Sequence, residues 1–548
     1  MKRWNILHKR AHDKDIVTAL LQNRGLIESD DIDLFLHPPH PSVFTPQAMG
    51  IDEVQLQKAV ARIEKAIDEG ESIVVYTDYD VDGITGGAIV WEVLNSLGAV
   101  VMPYVPHRET EGYGFSIAGI DHAKEAYKPG LIISVDHGIT AAEKITYAKN
   151  LGIDVIVTDH HTIPTEYPQD AYAVVHTTQL SGAGVGWVLA QAISRKKQKI
   201  IADDYLALAV MGAVADLVPL TGVNRSISYH GLKMLNSTKR LGIQALFDDA
   251  GIEKGQIEPY HIGYVLGPRI NAAGRLAHAL DALRLLCTTD VARAQSLAKV
   301  LGETNSQRQK ILEESFTHAL SRVKPENPLL FVSDDSYHPG IIGLIAGRLT
   351  ERFFRPSVVI SRGATVSKAS VRSIPGVNIV AMLRELSDVL LEVGGHPMAA
   401  GFSIETEKIA QLEERLGILA KNQITDELLI PQITIDMELK PEEVTFDTHA
   451  LLQTLTPFGV GNATPTFVLR NMNIDDARLI GKERTHLKLK LSSSNMQFSA
   501  IGFKMSEFYS TLKPHQSVDI AFTLDENTWN GNTSIQLKLK DIQNHKKG

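Results

Sequence analysis

Four short apolar runs dominate the first half of the chain: SIVVY (72–76), VVMPYV (100–105), LIISV (131–135) and IDVIVT (153–158). Between them lie helix-length segments such as ITGGAIVWEVLNSLG and ITAAEKITYAKNLG. A strand that is apolar at every position must be buried on both faces. Alternation with helices therefore predicts βαβ units and a parallel sheet covered on each side. In such a sheet ligands bind just beyond the carboxyl ends of the strands, so the residues there are the first place to look for chemistry.

A chain of 548 residues has room for roughly three or four domains. Residues 1–45 end in HPPHPSVFTP, whose prolines forbid a continuing helix, and read as a separate N-terminal appendage. The βαβ region spans 46–285. A helical stretch from Asp290 to Val323 follows, stopped by KPENP (324–328), and 286–325 read as a connector between lobes. LLFVS (329–333) and SVVIS (357–361) open a second, smaller α/β lobe over 326–425. From 426 to the end, short strands with Gly, Asn and Pro turns indicate an all-β barrel or sandwich.

Several classes are excluded. Cys287 is the only cysteine, so no intrachain disulfide forms. The longest apolar stretch, Tyr205 to Ala215, stops at Asp216, well short of the roughly 20 residues a membrane span needs, and the N-terminus has no apolar signal segment. The expectation is a soluble, cytoplasmic protein. A net charge of −9 argues against coating nucleic acid by bulk charge but leaves room for a locally basic groove.

Three of the expected strands run into acidic or histidine clusters. Asp78, Asp80 and Asp82 follow the first, Asp136 and His137 the third, and Asp159, His160 and His161 the fourth. Asp216 is a lone carboxylate in an apolar segment and needs a cation or a hydrogen-bond partner. Each signal alone fits a surface turn or a helix cap. Their joint placement at strand ends does not. Carboxylates with imidazole and no thiolate suit Mn²⁺ or Mg²⁺, and their mutual repulsion calls for more than one cation, as in two-metal phosphoryl chemistry.

DYDVDG (78–83), VDHG (135–138), TDHH (158–161) and ADLVPL (215–220) resemble the ordered motifs of the DHH phosphoesterase superfamily. GPRINAAGR (267–275), SVRSIPG (370–376), GGHPMAAGF (394–402) and LTPFGVGNATPTF (455–467) are similar to its RecJ-like branch of single-strand-specific 5′→3′ DNA exonucleases. The resemblance implies a DHH catalytic domain, a DHH-associated second lobe and a C-terminal OB-fold. It also implies that Asp78, Asp80 and Asp136 hold one metal and that Asp82, Asp136, His160 and Asp216 hold the other. Asp136 would bridge, with His161 a donor beside the scissile phosphate. The segment AVVHTTQLSGAGVGW departs from the branch: it is short and carries His176 where an Asn-Pro pair is usual.

By the same resemblance Arg108, Ser370 and Arg372 form a 5′-phosphate pocket, a role suited to the bidentate guanidinium. Tyr113 could stack on a base, and Arg269, Asn271 and Arg275 could meet backbone phosphates. Gly394, Gly395 and His396 match a substrate-binding turn. The cluster Arg195, Lys196, Lys197 and Lys199 reads as a solvated helix end, and His338 as structural. Lys482, Arg484, Lys488, Lys490, Lys538 and Lys540 supply positive charge to the β domain, on a face the sequence does not select. The implied function is degradation of single-stranded DNA from a 5′ end in recombination and repair, in company with a single-strand-binding protein and a helicase. A DHH phosphodiesterase of short oligonucleotides and a non-catalytic replication scaffold are the alternatives.

Overall fold

A computed structural model describes residues 2–8, 15–107, 111–112, 114–493 and 495–545. They group into two units. One comprises 26–306 with 454–464, the other 1–25, 307–453 and 465–548. A first strand, β1 (Arg3–His8), belongs to the second unit.

In the catalytic unit the apolar runs form β2 (Ile73–Thr77), β3 (Val101–Tyr104), β4 (Leu131–Val135) and β5 (Asp154–Asp159), joined by β6 (Ala173–His176). The order is β3-β2-β4-β5-β6 and every pairing is parallel. Alternate side chains enter opposite cores, as pleating requires. Val75, Ile133 and Ile156 join the cluster containing Trp187 and Leu208, whereas Val74, Ile132 and Val157 join the one containing Ile120 and Ile145. The sequence does not announce the fifth strand, because AVVH is only four residues long and its flanks read as loop. The helix Glu53–Asp68, which precedes the sheet, is capped by Asp52, whose carboxylate accepts from the Val54 and Gln55 amides.

The long helix runs Val291–Leu320, about 45 Å at 1.5 Å per residue, and spans the boundary between the units. The smaller lobe has β7 (Leu330–Asp334), β8 (Ser357–Ser361), β9 (Val366–Arg372), β10 (Glu392–His396) and β11 (Ala399–Glu405), in the order β10-β11-β9-β8-β7. Only β7 and β8 are parallel. After β12 (Gln432–Glu438) come β13 (Phe467–Ile480), β14 (His486–Ser493), β15 (Met496–Gly502), β16 (Ser517–Trp529) and β17 (Asn532–Asn544). Pairing runs β13-β14-β15-β17-β16 and returns to β13, which closes a five-stranded barrel with the OB connectivity.

Two boundaries differ from expectation. Residues 1–45 are not a separate appendage: β1 pairs in parallel with β12, Trp4 and Ile6 pack against Ile435, Val468 and Ala521, and Trp4 Nε1 donates to Asp541. The proline cluster ends a helix without ending a domain, and residues 26–306 group with the catalytic unit. Residues 454–464, expected within the β domain, also belong to the catalytic unit. There the Leu220 amide donates to Val460 O at 2.7 Å, and the buried Arg225 guanidinium donates to the Leu455 and Thr456 carbonyls. A buried guanidinium needs such acceptors wherever the chain can supply them.

Candidate metal centre

The site forms at the carboxyl ends of β2, β4 and β5. Asp80 caps the helix Val81–Ser96, its Oδ1 accepting from the Asp82 and Gly83 amides. Asp78 and Asp82 on either side of Asp80 are fully buried, the Asp78 carboxylate accepting from the Tyr79 amide. Asp136 ends β4 with φ +67, a left-handed conformation that is costly for a non-glycine residue. Asp216 follows the last residue of the helix Tyr205–Ala215, where the helix dipole disfavours a carboxylate.

These side chains converge. His160 Nε2 lies 3.0 Å from Asp136 Oδ1, 3.5 Å from Asp216 Oδ2 and 3.7 Å from Asp82 Oδ2. Donor atoms of Asp78, Asp80 and Asp136 lie within 4.8 Å of one another, as do those of Asp82, His160 and Asp216, and those of Asp136, His160 and His161. Among the described residues Asp136 Oδ1 and His160 Nε2 are buried without a hydrogen bond. Burial pushes the Asp136 carboxyl well above its ordinary range, and the charges of Asp82, Asp80, Asp78 and Asp216 push it further. Asp216 is raised to about 8 by burial and by Asp82 and Asp80, while burial lowers His160. A crowd of carboxylates beside an imidazole is a hard-cation donor set, and divalent ions would relieve its repulsion.

Asp159 has a different part. Its carboxylate accepts from the Ile139, His160 and His161 amides and lies 2.7 Å from His161 Nδ1. Burial opposes charge on His161, but the bond and ion pair to Asp159 overcome it and raise the imidazole to about 9. His176 Nε2 lies 2.6 Å from the His161 carbonyl oxygen, so the residue that replaces the usual Asn-Pro pair ties the histidine turn to β6.

Sequence reasoning missed the small residues around the carboxylates. The Gly182 and Ala183 amides, opening the helix Gly182–Lys196, donate to Asp82 at 2.6 and 2.9 Å. A Cβ on Gly182 would come within 2.4 Å of Asp136 Oδ1, and one on Gly212 within 2.2 Å of Asp82 Oδ1. The available signal was Ser181-Gly-Ala-Gly, a serine cap followed by glycines at a helix start.

The expected substrate residues divide between the units. Asn271 Oδ1 accepts from the Val81 amide, which ties the helix Gly267–Leu276 to the metal loop. Arg269 pairs with Asp249 at 3.2 Å, and Arg275 is half-buried near the end of the same helix. In the other unit Ser370 and Arg372 lie on β9, with Arg372 Nη1 3.1 Å from Ser370 Oγ. Burial lowers the Arg372 pKa, and among the described residues no carboxylate pairs with it. Gly395 has φ +131 and a Cβ there would strike Ala399 O, so this glycine is required by the β10–β11 hairpin, which leaves His396 exposed. Arg108 and Tyr113 lie outside the described residues. Arg195, Lys196 and Lys199 are exposed, as a solvated helix end requires, while Arg195, Lys197 and Lys199 also donate to Ser42 O, Asp68 and Ser96 O. His338 Nδ1 likewise accepts from the Gly340 amide.

Residues 72–213 match the DHH family, N-terminal domain, 326–421 the DHHA1 domain and 435–541 the RecJ OB domain. Over 549 residues the chain is 35% identical to the single-stranded-DNA-specific exonuclease RecJ of Bacillus subtilis, covering 98% of this chain and 69% of that one. The chain belongs to the RecJ family. The RecJ of Thermus thermophilus is 34% identical over 497 residues, covering 89% of this chain and 71% of its own. The crystal structure of RecJ from Thermus thermophilus in complex with Mn²⁺ superposes with a TM-score of 0.84 at 29% identity, covering 99% of this chain and 80% of that one. The chain therefore has the fold of the RecJ structures.

Proposed function

We propose that this chain is a metal-dependent exonuclease that releases mononucleotides from the 5′ end of single-stranded DNA, in recombination and repair. The observation that carries the reading is the pair of donor sets, Asp78/Asp80/Asp136 and Asp82/His160/Asp216, with Asp136 Oδ1 3.0 Å from His160 Nε2. The metal-bound RecJ structures, with Mn²⁺ and with Mg²⁺, support the same ions here. Two divalent ions, when bound, supply Lewis acidity for an in-line displacement at phosphorus.

The protein's own groups do the rest. Asp136 belongs to the first donor set and its Oδ1 approaches His160 of the second, so it is the residue suited to bridge them. Asp159 accepts from His161 Nδ1 and favours the imidazolium, whose Nε2–H can then donate to a non-bridging phosphate oxygen. Arg372, half-buried and with no carboxylate paired to it among the described residues, is suited to a terminal phosphate, with Ser370 beside it and Arg108 proposed for the same group. Tyr113, Arg269, Asn271, Arg275, Gly395 and His396 complete the proposed strand contacts. The barrel would grip the strand further from the reacting end. A nuclease confined to single strands needs its duplex opened and kept open, so a helicase and a single-strand-binding protein are the partners we infer, in the cytoplasm. No helix among the described residues is long and apolar enough to cross a membrane.

The test is incubation with Mn²⁺ and end-labelled single-stranded, duplex and dinucleotide substrates. Mononucleotides released from the 5′ end of single strands alone are the expected result. Preference for the dinucleotide would favour a small-substrate phosphodiesterase, and no hydrolysis of any substrate a scaffold.

A further inference from the structure

Tyr260 and Tyr264 are 61% and 75% exposed, yet their rings stack on each other with centroids 5.1 Å apart and planes 24° from parallel. Two large rings kept in water and already parallel form an unusual surface. Soluble proteins normally turn such area inward unless something else covers it. The rings are also held in place. Tyr260 sits in the single turn Pro259–His261, which is closed by a reciprocal cap between Glu258 and His261, with the Glu258 amide donating to His261 Nδ1. Tyr264 lies in the π-helical turn Ile262–Leu266, a distortion that is rare and frequent at functional sites. Gly263 leaves open space beside it.

The position is continuous with the metal site. Gly267, three residues after Tyr264, comes so close to the metal loop that a Cβ on it would lie 3.6 Å from Val81 Cγ2 and 3.8 Å from the Cβ of Ala215, the neighbour of Asp216. Asn271, one turn further, accepts from the Val81 amide. One continuous helical run therefore joins the tyrosine pair to the loop that presents Asp80 and Asp82.

We infer that Tyr260 and Tyr264 form a base-stacking platform for the single strand as it leaves the metal site, an inference that rests on the single-strand exonuclease reading above. Tyr260 also meets the His261 ring edge-to-face at 5.8 Å, and Tyr264, the more exposed of the pair, is the ring placed to receive a base. Stacking tolerates any base, as a nuclease without sequence preference requires.

The experiment uses the full chain with Mg²⁺ and 5′-phosphorylated single strands in which one nucleotide at a time is abasic. For the wild-type chain one abasic position should raise KM about tenfold. Tyr260→Ala/Tyr264→Ala should raise KM on the intact strand by a similar factor with kcat unchanged, and should make that abasic position silent. Tyr264→Phe should restore the wild-type pattern, and Tyr264→Leu should not. Photocrosslinking of the wild-type chain to strands carrying iododeoxyuridine should label Tyr264. An unchanged KM and abasic scan in the double variant would overturn the platform while leaving the exonuclease reading intact. A change of oligomeric state with KM unaffected would assign the pair to a second copy of the chain instead. Failure of the wild-type chain to hydrolyse any single strand would overturn the underlying reading and the platform with it.

Discussion

Asp136 carries three local costs at once: a left-handed backbone, nearly complete burial and four neighbouring carboxylates. Such strain persists where the surroundings over-determine it, which fits a residue suited to bridge two donor sets. Asparagine tolerates the left-handed region as well as aspartate does, so Asp136→Asn changes charge and little else. Hydrolysis should fall below detection with Mn²⁺, while the metal-free melting temperature should rise by a few degrees because repulsion is relieved. Substantial residual activity would falsify the shared-ligand role. The pH dependence of the metal-free protein follows from Asp216, raised to about 8, and His161, raised to about 9. A group whose folded pKa exceeds its unfolded one stabilises at low pH and loses that contribution as pH rises through the folded value. The metal-free melting temperature should therefore fall between about pH 6.5 and pH 9, and saturating Mg²⁺ should flatten the fall; calorimetry with and without the ion reads both. At the proposed 5′ end, Arg372→Ala should erase any preference for 5′-phosphorylated over 5′-hydroxyl strands. Arg372→Lys should restore only part of it, since a point charge lacks the bidentate fork. Equal discrimination in all three proteins would place the terminal-phosphate pocket elsewhere.

At the scale of elements, the helix Gly182–Lys196 acts through its first turn. Two amides hold Asp82 while the absence of a Cβ on Gly182 leaves room for Asp136. Gly182→Ala should lower Mn²⁺ affinity at least about tenfold, the usual scale for disturbing groups that orient a ligand, with the circular dichroism spectrum unchanged. Titration calorimetry measures it, and wild-type affinity would show that the helix can shift without cost. In the barrel, Lys488 lies on β14 opposite Ile501 of β15, and Ile501 faces Lys538 of β17, so register places these two lysines on one outer face. Lys538 is paired with Asp525, which leaves Lys488 and the exposed Lys490 better suited to meet phosphates. Replacing both by Gln should reduce the salt dependence of log KM on long strands by about 0.7 for each phosphate no longer neutralised. An unchanged slope would move the strand to another face.

At the scale of the whole molecule, the segment 454–464 changes what a truncation can test. The proposed metal ligands all precede residue 217, so a chain ended near residue 425 retains every one of them. It would nonetheless lose the Leu455 and Thr456 carbonyls that accept from the buried Arg225, and the Val460 carbonyl that accepts from Leu220. Uncovering a buried charge costs roughly 3–5 kcal/mol. The expected outcome is a lower melting temperature and an equal loss of activity on short and long strands. A truncated chain that melts like the full one and fails only on long strands would show the segment to be dispensable to the catalytic unit.

The parallel sheet and its motifs were legible in the sequence because their cause is local: strands buried on both faces must be apolar at every position, and the groups that follow them fall at the strand ends whatever the rest of the chain does. Asp78, Asp82, Asp136 and His160 could be named in this way, and Asp216 as a lone carboxylate in an apolar segment. What tertiary structure alone decided depends on residues distant in sequence. Residues 1–45 read as a separate appendage until β12 supplies a partner for β1, and 454–464 reads as part of the barrel until Arg225 claims its carbonyls. Gly182 and Gly212 look like ordinary helix glycines until the carboxylates of Asp136 and Asp82 are brought against them, because the need to omit a Cβ exists only where two segments meet.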